Sequence, residues 1–193
     1  MTHLTATEEE FVDFLNRKSI NPKGMKILDV GCKYNNTIPF FKNKLGMEWE
    51  GIDVMPYDIE VKQMDMTNLE NLEANYYDFV FVCHSLEHCY NPFQALGEFK
   101  EVLKDGGWLF ISLPCYCDFH LEEIDHLFLF TEKQIKKLVN FIKYVKVECY
   151  KSKFVGYDDD KLYNIICVGE KDINTNKIIF QSQYIAIQGE TLT

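Results

Sequence analysis

Three aspartates stand at or near the ends of short apolar runs: Asp29 in Met25–Val30, Asp53 after Glu48–Ile52, and Asp65 after Val61–Met64. A single aspartate in such a place is usually a turn or cap residue. Three at successive run ends form a series. Asp53 follows Gly31 by 22 residues. At that spacing an acidic residue at the end of a second strand meets a ribose, accepts hydrogen bonds from both hydroxyls and disfavours a 2′-phosphate. Asp65 is placed to accept from an exocyclic amine such as adenine's. Four histidines follow along the chain: His84, His88, His120 and His126. An unperturbed imidazole titrates near pH 6.5 and suits general-base work.

The elements that must hold these residues are legible in outline. Thr7-Glu8-Glu9-Glu10 has the form of a capping box, followed by Phe11, Phe14 and Leu15 on one helical face. Asn21-Pro22 stops that helix. Asn36-Thr37 with Ile38, Phe41 and Leu45 reads as a second helix, closed by Gly46. Asp78 to Cys83 is the clearest buried strand. Asn91-Pro92-Phe93-Gln94 opens a helix that Gly106-Gly107 ends. Trp108 to Leu113 is a strand closed by Pro114. Thr131-Glu132-Lys133-Gln134 opens another helix, through about Asn140. Lys143–Tyr150 and Leu162–Glu170 read as late, antiparallel strands.

Strands alternating with helices imply an α/β fold. The expectation is a Rossmann-like, doubly wound, mostly parallel sheet of about seven strands, the last antiparallel, with helices on both faces. Ligands in such sheets sit at the carboxyl ends of the strands. One domain over 1–170 is expected, with 171–193 as a C-terminal extension. Within it, 177–188 reads as an edge strand or an arm onto a partner, which would make a homodimer.

Composition narrows the partners. The net charge is −10 and Arg17 is the single arginine. Specific nucleic-acid binders carry a basic face with bidentate arginines, so nucleic acid is an unlikely partner, as is an anionic membrane. A small-molecule substrate is favoured. Seven cysteines without framework spacing, and an N-terminus without a signal-peptide pattern, point to a reducing cytoplasm. Cys115-x-Cys117 has no second pair nearby and reads as incidental.

The motifs together carry a resemblance. Ile27-Leu28-Asp29-Val30-Gly31-Cys32 resembles the first motif of class I S-adenosylmethionine-dependent methyltransferases. Tyr77 to His88, Asn91-Pro92-Phe93, Glu101 to Leu109, and Asp125-His126 with Phe130-Thr131 resemble the later segments of that family's small-molecule branch, the methyltransferase type 11-like branch. The resemblance covers residues 24–170. It implies S-adenosylmethionine as cofactor. Asp29 and the Gly31 loop would hold its methionine end, Asp53 the ribose and Asp65 the adenine amine, with the Met66 backbone beside the ring. Cys32 belongs to the loop, and Cys83 and His84 would line the methyl end.

The family loop is Gly-x-Gly-x-Gly, whereas this chain reads Gly31-Cys32-Lys33-Tyr34-Asn35 and keeps only the first glycine. Two readings follow: a methyltransferase acting on an oxygen or nitrogen nucleophile, or a catalytically silent binding module with a degraded loop. A nicotinamide oxidoreductase fits the ribose aspartate but not the later segments.

Methyl transfer from a sulfonium needs alignment, and for a hydroxyl or ammonium acceptor a base. His126 or His120 is the expected base, from a segment with the composition of a lid. His120, Glu122, Asp125 and His126 lack a fixed metal-ligand spacing and read as a solvated acidic loop, so no metal is assigned. Phe79, Phe81, Phe110 and Phe141 are expected in the core. Tyr34, Tyr57 and Tyr116 are the candidates for ligand stacking.

Overall fold

The strands of this chain alternate aromatic and aliphatic residues, and that alternation sorts the core into two layers. In Asp78–Cys83, Phe79 and Phe81 point to one face and Val80 and Val82 to the other, as the two-residue period of a strand requires. The computed structural model describes residues 3–34, 36–114, 125–153 and 163–173.

Seven strands form one sheet: β1 (Lys26–Val30), β2 (Glu48–Asp53), β3 (Val61–Gln63), β4 (Tyr77–Cys83), β5 (Leu103–Pro114), β6 (Tyr144–Lys153) and β7 (Tyr163–Lys171). Their order is β3-β2-β1-β4-β5-β7-β6. Strands β1 to β5 pair in parallel, and β7 runs antiparallel to both β5 and β6. The order reverses between β1 and β4, so the crevice at their carboxyl ends is the switch point where such sheets bind ligands.

The aromatic layer is covered by helix α1 (His3–Lys18) and a π-helical turn, Pro39–Lys44. Phe11 is its centre. Its ring lies edge-on to Phe41, Phe79, Phe81 and Phe110 at centroid distances of 5.2–5.7 Å. That spacing and tilt are the ones ring quadrupoles favour. The opposite layer is mainly aliphatic, with Tyr77, Phe99, Phe130 and Tyr144 among it, and is covered by α2 (Pro92–Val102) and α3 (Glu132–Phe141).

Several local expectations are corrected. Helix α1 begins at His3, so Thr7 is not its cap. Thr7 is fully buried, with Oγ1 3.0 Å from Ser112 Oγ. Tertiary packing outweighs the local capping signal. The helix expected after Asn36 is only the π-helical turn, although Gly46 does stand beyond it at φ +67°. Helix α2 ends at Val102, before Gly106-Gly107, because Leu103 already pairs with Tyr77. Phe141 is 69% exposed rather than core, since it closes α3 on its solvent side.

Other signals hold. Asn91 caps α2, its side chain accepting from Gln94 N at 3.2 Å, and Thr131 with Gln134 forms a complete capping box on α3. Cys32, Cys83, Cys89, Cys149 and Cys167 are free thiols. No described helix is long and apolar enough to cross a membrane. The proposed arm at 177–188, with Cys115, Tyr116, Cys117, His120 and Glu122, lies outside the described residues.

Candidate active site

The carboxyl ends of β1, β2 and β4 open onto a cavity of about 570 Å³, a size suited to a cofactor with a small substrate. Its wall includes Gly31, Lys33, Asp53, Asp65, Met66, His84, Ser85 and His88. Asp125 and Leu127 close it from the segment before α3.

Gly31 sits at the tightest point. Its φ is +71°, and a Cβ there would lie 2.3 Å from Ser85 Cβ and 2.6 Å from Ser85 Oγ. Ser85 is itself pinned, donating to Val30 O at 2.9 Å. Only glycine satisfies both the turn and the approach.

The missing second glycine of the loop is answered by Lys33. It occupies the left-handed region at φ +54° despite its side chain. Two hydrogen bonds hold it there: Lys33 N donates to Asp53 Oδ2 at 3.0 Å, and Lys33 O accepts from Tyr57 N at 2.9 Å. The left-handed turn therefore survives the substitution at a cost of about 1 kcal/mol in strain. Tyr34 and Tyr57 stack on each other at 5.2 Å, with Lys33 Nζ 5.0 Å from the Tyr57 ring. Both tyrosines are exposed, so this pair forms an outer flank of the loop.

Asp53 accepts from Lys33 N and Met55 N, one hydrogen bond on each oxygen. Each carboxylate oxygen has two acceptor positions, so both keep one for a diol. Asp65 Oδ1 accepts from Thr67 N and Thr67 Oγ1, both at 2.8 Å. That fixes its carboxylate at the cavity wall. Met66 lies beside it.

The remaining residues of the motif serve from behind the wall. Asp29 is 2% exposed and is not among the described cavity-lining residues. Its Oδ2 accepts from Thr37 Oγ1 at 2.5 Å and Trp49 Nε1 at 3.1 Å. Burial raises its pKa to about 6, against the lowering effect of those two donors. Asp29 thus ties β1 to β2 and to Thr37, just ahead of the π-helical turn. Cys32 Sγ faces Ile52 O at 3.8 Å, and Cys83 donates to Thr7 Oγ1 at 3.5 Å. Burial pushes the Cys83 thiol up to about 12. Both are neutral packing groups at neutral pH.

In the cavity wall, His84 takes a left-handed backbone, φ +48°, directly after β4. Its Nε2–H donates to Asn164 Oδ1 at 2.9 Å, and its Nδ1 stands 4.0 Å from Glu87 Oε1. Glu87 is 1% exposed. Beside it, His88 Nδ1–H donates to Asp125 O at 2.9 Å, and the His88 and His126 rings lie 4.9 Å apart. His126 is not among the described cavity-lining residues; its ring packs against His88. Glu87 and Asn164 were not singled out by sequence reasoning. Adjacency of Glu87 to His88 after the strongest strand was the one local signal for the former. Nothing local marks Asn164, which arrives from β7.

Comparison with known proteins bears on this geometry. A methyltransferase-domain family model matches residues 3–143. Over 103 residues the chain is 28% identical to an S-adenosyl-L-methionine-dependent Diels-Alderase of Talaromyces variabilis, taking in 45% of this chain and 35% of that protein. The chain thus spans about a third of that relative's length. Among solved structures, a putative sarcosine dimethylglycine methyltransferase of Galdieria sulphuraria superposes with a TM-score of 0.70 at 15% identity, over 86% of this chain and 85% of that one. Phosphoethanolamine N-methyltransferase 2 of Haemonchus contortus, solved with S-adenosylhomocysteine and phosphomonomethylethanolamine, superposes with a TM-score of 0.67 at 15% identity. That match covers 85% of this chain and 52% of the other, about half its length. At such identities these two likenesses bear on the fold alone.

Proposed function

The chain belongs to the class I S-adenosylmethionine-dependent methyltransferase family, and from that premise we propose that it transfers a methyl group to an oxygen or nitrogen nucleophile of a small molecule. The observation that carries this reading is one continuous cavity. Its wall brings together Gly31, Asp53, Asp65, His84 and His88.

The residues fit the cofactor. Gly31 leaves backbone open to close approach, and each Asp53 oxygen keeps an acceptor position for a ribose hydroxyl. Asp65 keeps an oxygen for the adenine amine. Bound there, S-adenosylmethionine supplies an electrophilic methyl group on a sulfonium. The protein's task is then to align the acceptor and manage its proton.

His84 is the base in this proposal, in place of His126 and His120. It lines the cavity, and Asn164 fixes the tautomer that leaves Nδ1 able to take a proton. The acidic surface and the single arginine favour a small acceptor over nucleic acid.

Calorimetric titration with S-adenosylhomocysteine tests the reading. Asp53→Ala removes two charge-assisted hydrogen bonds to the ribose and is expected to weaken affinity about 10- to 100-fold. Equal affinity in the variant overturns the site assignment. Formation of S-adenosylhomocysteine during incubation with S-adenosylmethionine and a metabolite pool separates a working enzyme from a silent module.

A further inference from the structure

We propose that Glu87, His88 and His126 form a binding site for a divalent first-row transition cation beside the cavity wall at His88. Each offers one ligand atom, and these atoms lie within 4.8 Å of one another. Ligands about 2.0–2.2 Å from a shared ion stand at most about 4.4 Å apart, so a slight closure of the side chains completes the geometry.

Chemistry and placement agree. Glu87 is a carboxyl side chain with 1% exposure, adjacent in the chain to His88 and with Oε1 4.0 Å from His84 Nδ1. Glu87 and His88 come from one turn of 3-10 helix, Leu86–His88, directly after β4. His126 comes from the segment before α3. The two segments are locked by a backbone hydrogen bond from Phe128 N to Glu87 O, 3.0 Å long. The distance between the carboxylate and the second imidazole is therefore built into the fold.

His88 carries the signature of a ligand. Its Nδ1–H donates to the Asp125 carbonyl, which orients the ring and leaves Nε2 as the nitrogen not used in that bond. A metal-binding histidine is held in that way, by a backbone carbonyl on its other nitrogen. The His88 and His126 rings are inclined at 60° rather than stacked.

Two imidazoles and one carboxylate suit zinc, cobalt, manganese or ferrous iron better than calcium or magnesium. Three protein ligands leave open positions, and His88 with Asp125 lines the cavity beside them. The ligand class for those positions is an acceptor with two adjacent oxygens, either vicinal hydroxyls or a carboxylate. This role for the acceptor rests on the methyl-transfer reading. The cation site itself does not.

The test uses tag-free full-length protein, stripped with chelator and desalted. Cobalt(II) is titrated with calorimetry and visible spectroscopy, with and without S-adenosylhomocysteine. The expected result is one equivalent bound, with ligand-field bands. His126→Asn, outside the cavity wall, is expected to weaken cobalt affinity at least 10-fold while S-adenosylhomocysteine affinity stays within about twofold. His88→Asn and Glu87→Gln are expected to weaken cobalt affinity at least as much, and the two histidine variants keep the test valid if the buried Glu87 change impairs folding. No saturable cobalt binding, or equal binding in His126→Asn, overturns the proposal and leaves a hydrogen-bonded cluster. Cobalt failure with retained S-adenosylhomocysteine binding sinks the cation site alone. Cobalt binding without S-adenosylhomocysteine binding sinks the cofactor reading alone.

Discussion

At the scale of single residues, the site depends on backbone shapes that side chains resist. Gly31 has no room for a Cβ beside Ser85. Gly31→Ala is expected to abolish measurable S-adenosylhomocysteine binding and to lower the melting temperature, because the clash is with a pinned side chain and the φ is left-handed. Lys33 shows the complementary case, a left-handed residue kept in place by Asp53 and Tyr57. The loop's departure from its family pattern was legible in the sequence, and its consequence was not. Whether Lys33 adopts a positive φ depends on hydrogen bonds from residues 20 and more positions away. His84 has the same character. His84→Asn is expected to lower kcat by about 10² to 10⁴ while S-adenosylhomocysteine affinity changes little, since a base acts on the acceptor's proton and not on the cofactor. A proportional loss of both in single-turnover and binding measurements assigns His84 a structural role instead.

At the scale of elements, Asp29 links β1 to β2 and to the segment entering the π-helical turn, and its protonation couples to their stability. Its pKa is raised to about 6 in the folded chain, from an ordinary value near 3.8. The folded state therefore holds the proton more tightly than the unfolded state. The stabilisation is fully present below about pH 4 and is lost as pH rises through about 6, a change of about 3 kcal/mol. Asp29→Asn removes this titration. The stability difference between wild type and variant is then expected to shift by that amount in favour of wild type on going from pH 7 to pH 4, in paired urea unfolding curves. A difference independent of pH contradicts the assignment. Elements differ in how far local signals reach. The α3 capping box formed as read because its donors and acceptors lie within four residues. The Thr7 signal failed because Ser112 and Cys83, which meet it across the core, are invisible in a local window. Gly106-Gly107 failed as a helix end for the same reason, since pairing with Tyr77 draws Leu103 into β5 first.

At the scale of the whole molecule, one cavity joins strand ends from both sides of the switch in strand order, so ligand binding is linked to global unfolding. S-adenosylhomocysteine at about 100 times its Kd adds about 2.7 kcal/mol. A chain of 193 residues is then expected to melt about 5 to 10 °C higher. No rise at millimolar ligand favours the silent-module reading. The sequence by itself determined the α/β class, the strand-end positions of Asp53, Asp65 and His84, and the resemblance that implies the cofactor. These are encoded in short runs, where period, spacing and turn chemistry act over a few residues. Only the tertiary structure decided that Asp29 ties β1 to β2 and to Thr37, that Lys33 stands in for a glycine, and that Glu87 meets His84, His88 and His126. Those outcomes depend on which buried groups face each other across the sheet. Desolvation and packing then set their roles, and no local pattern carries that information.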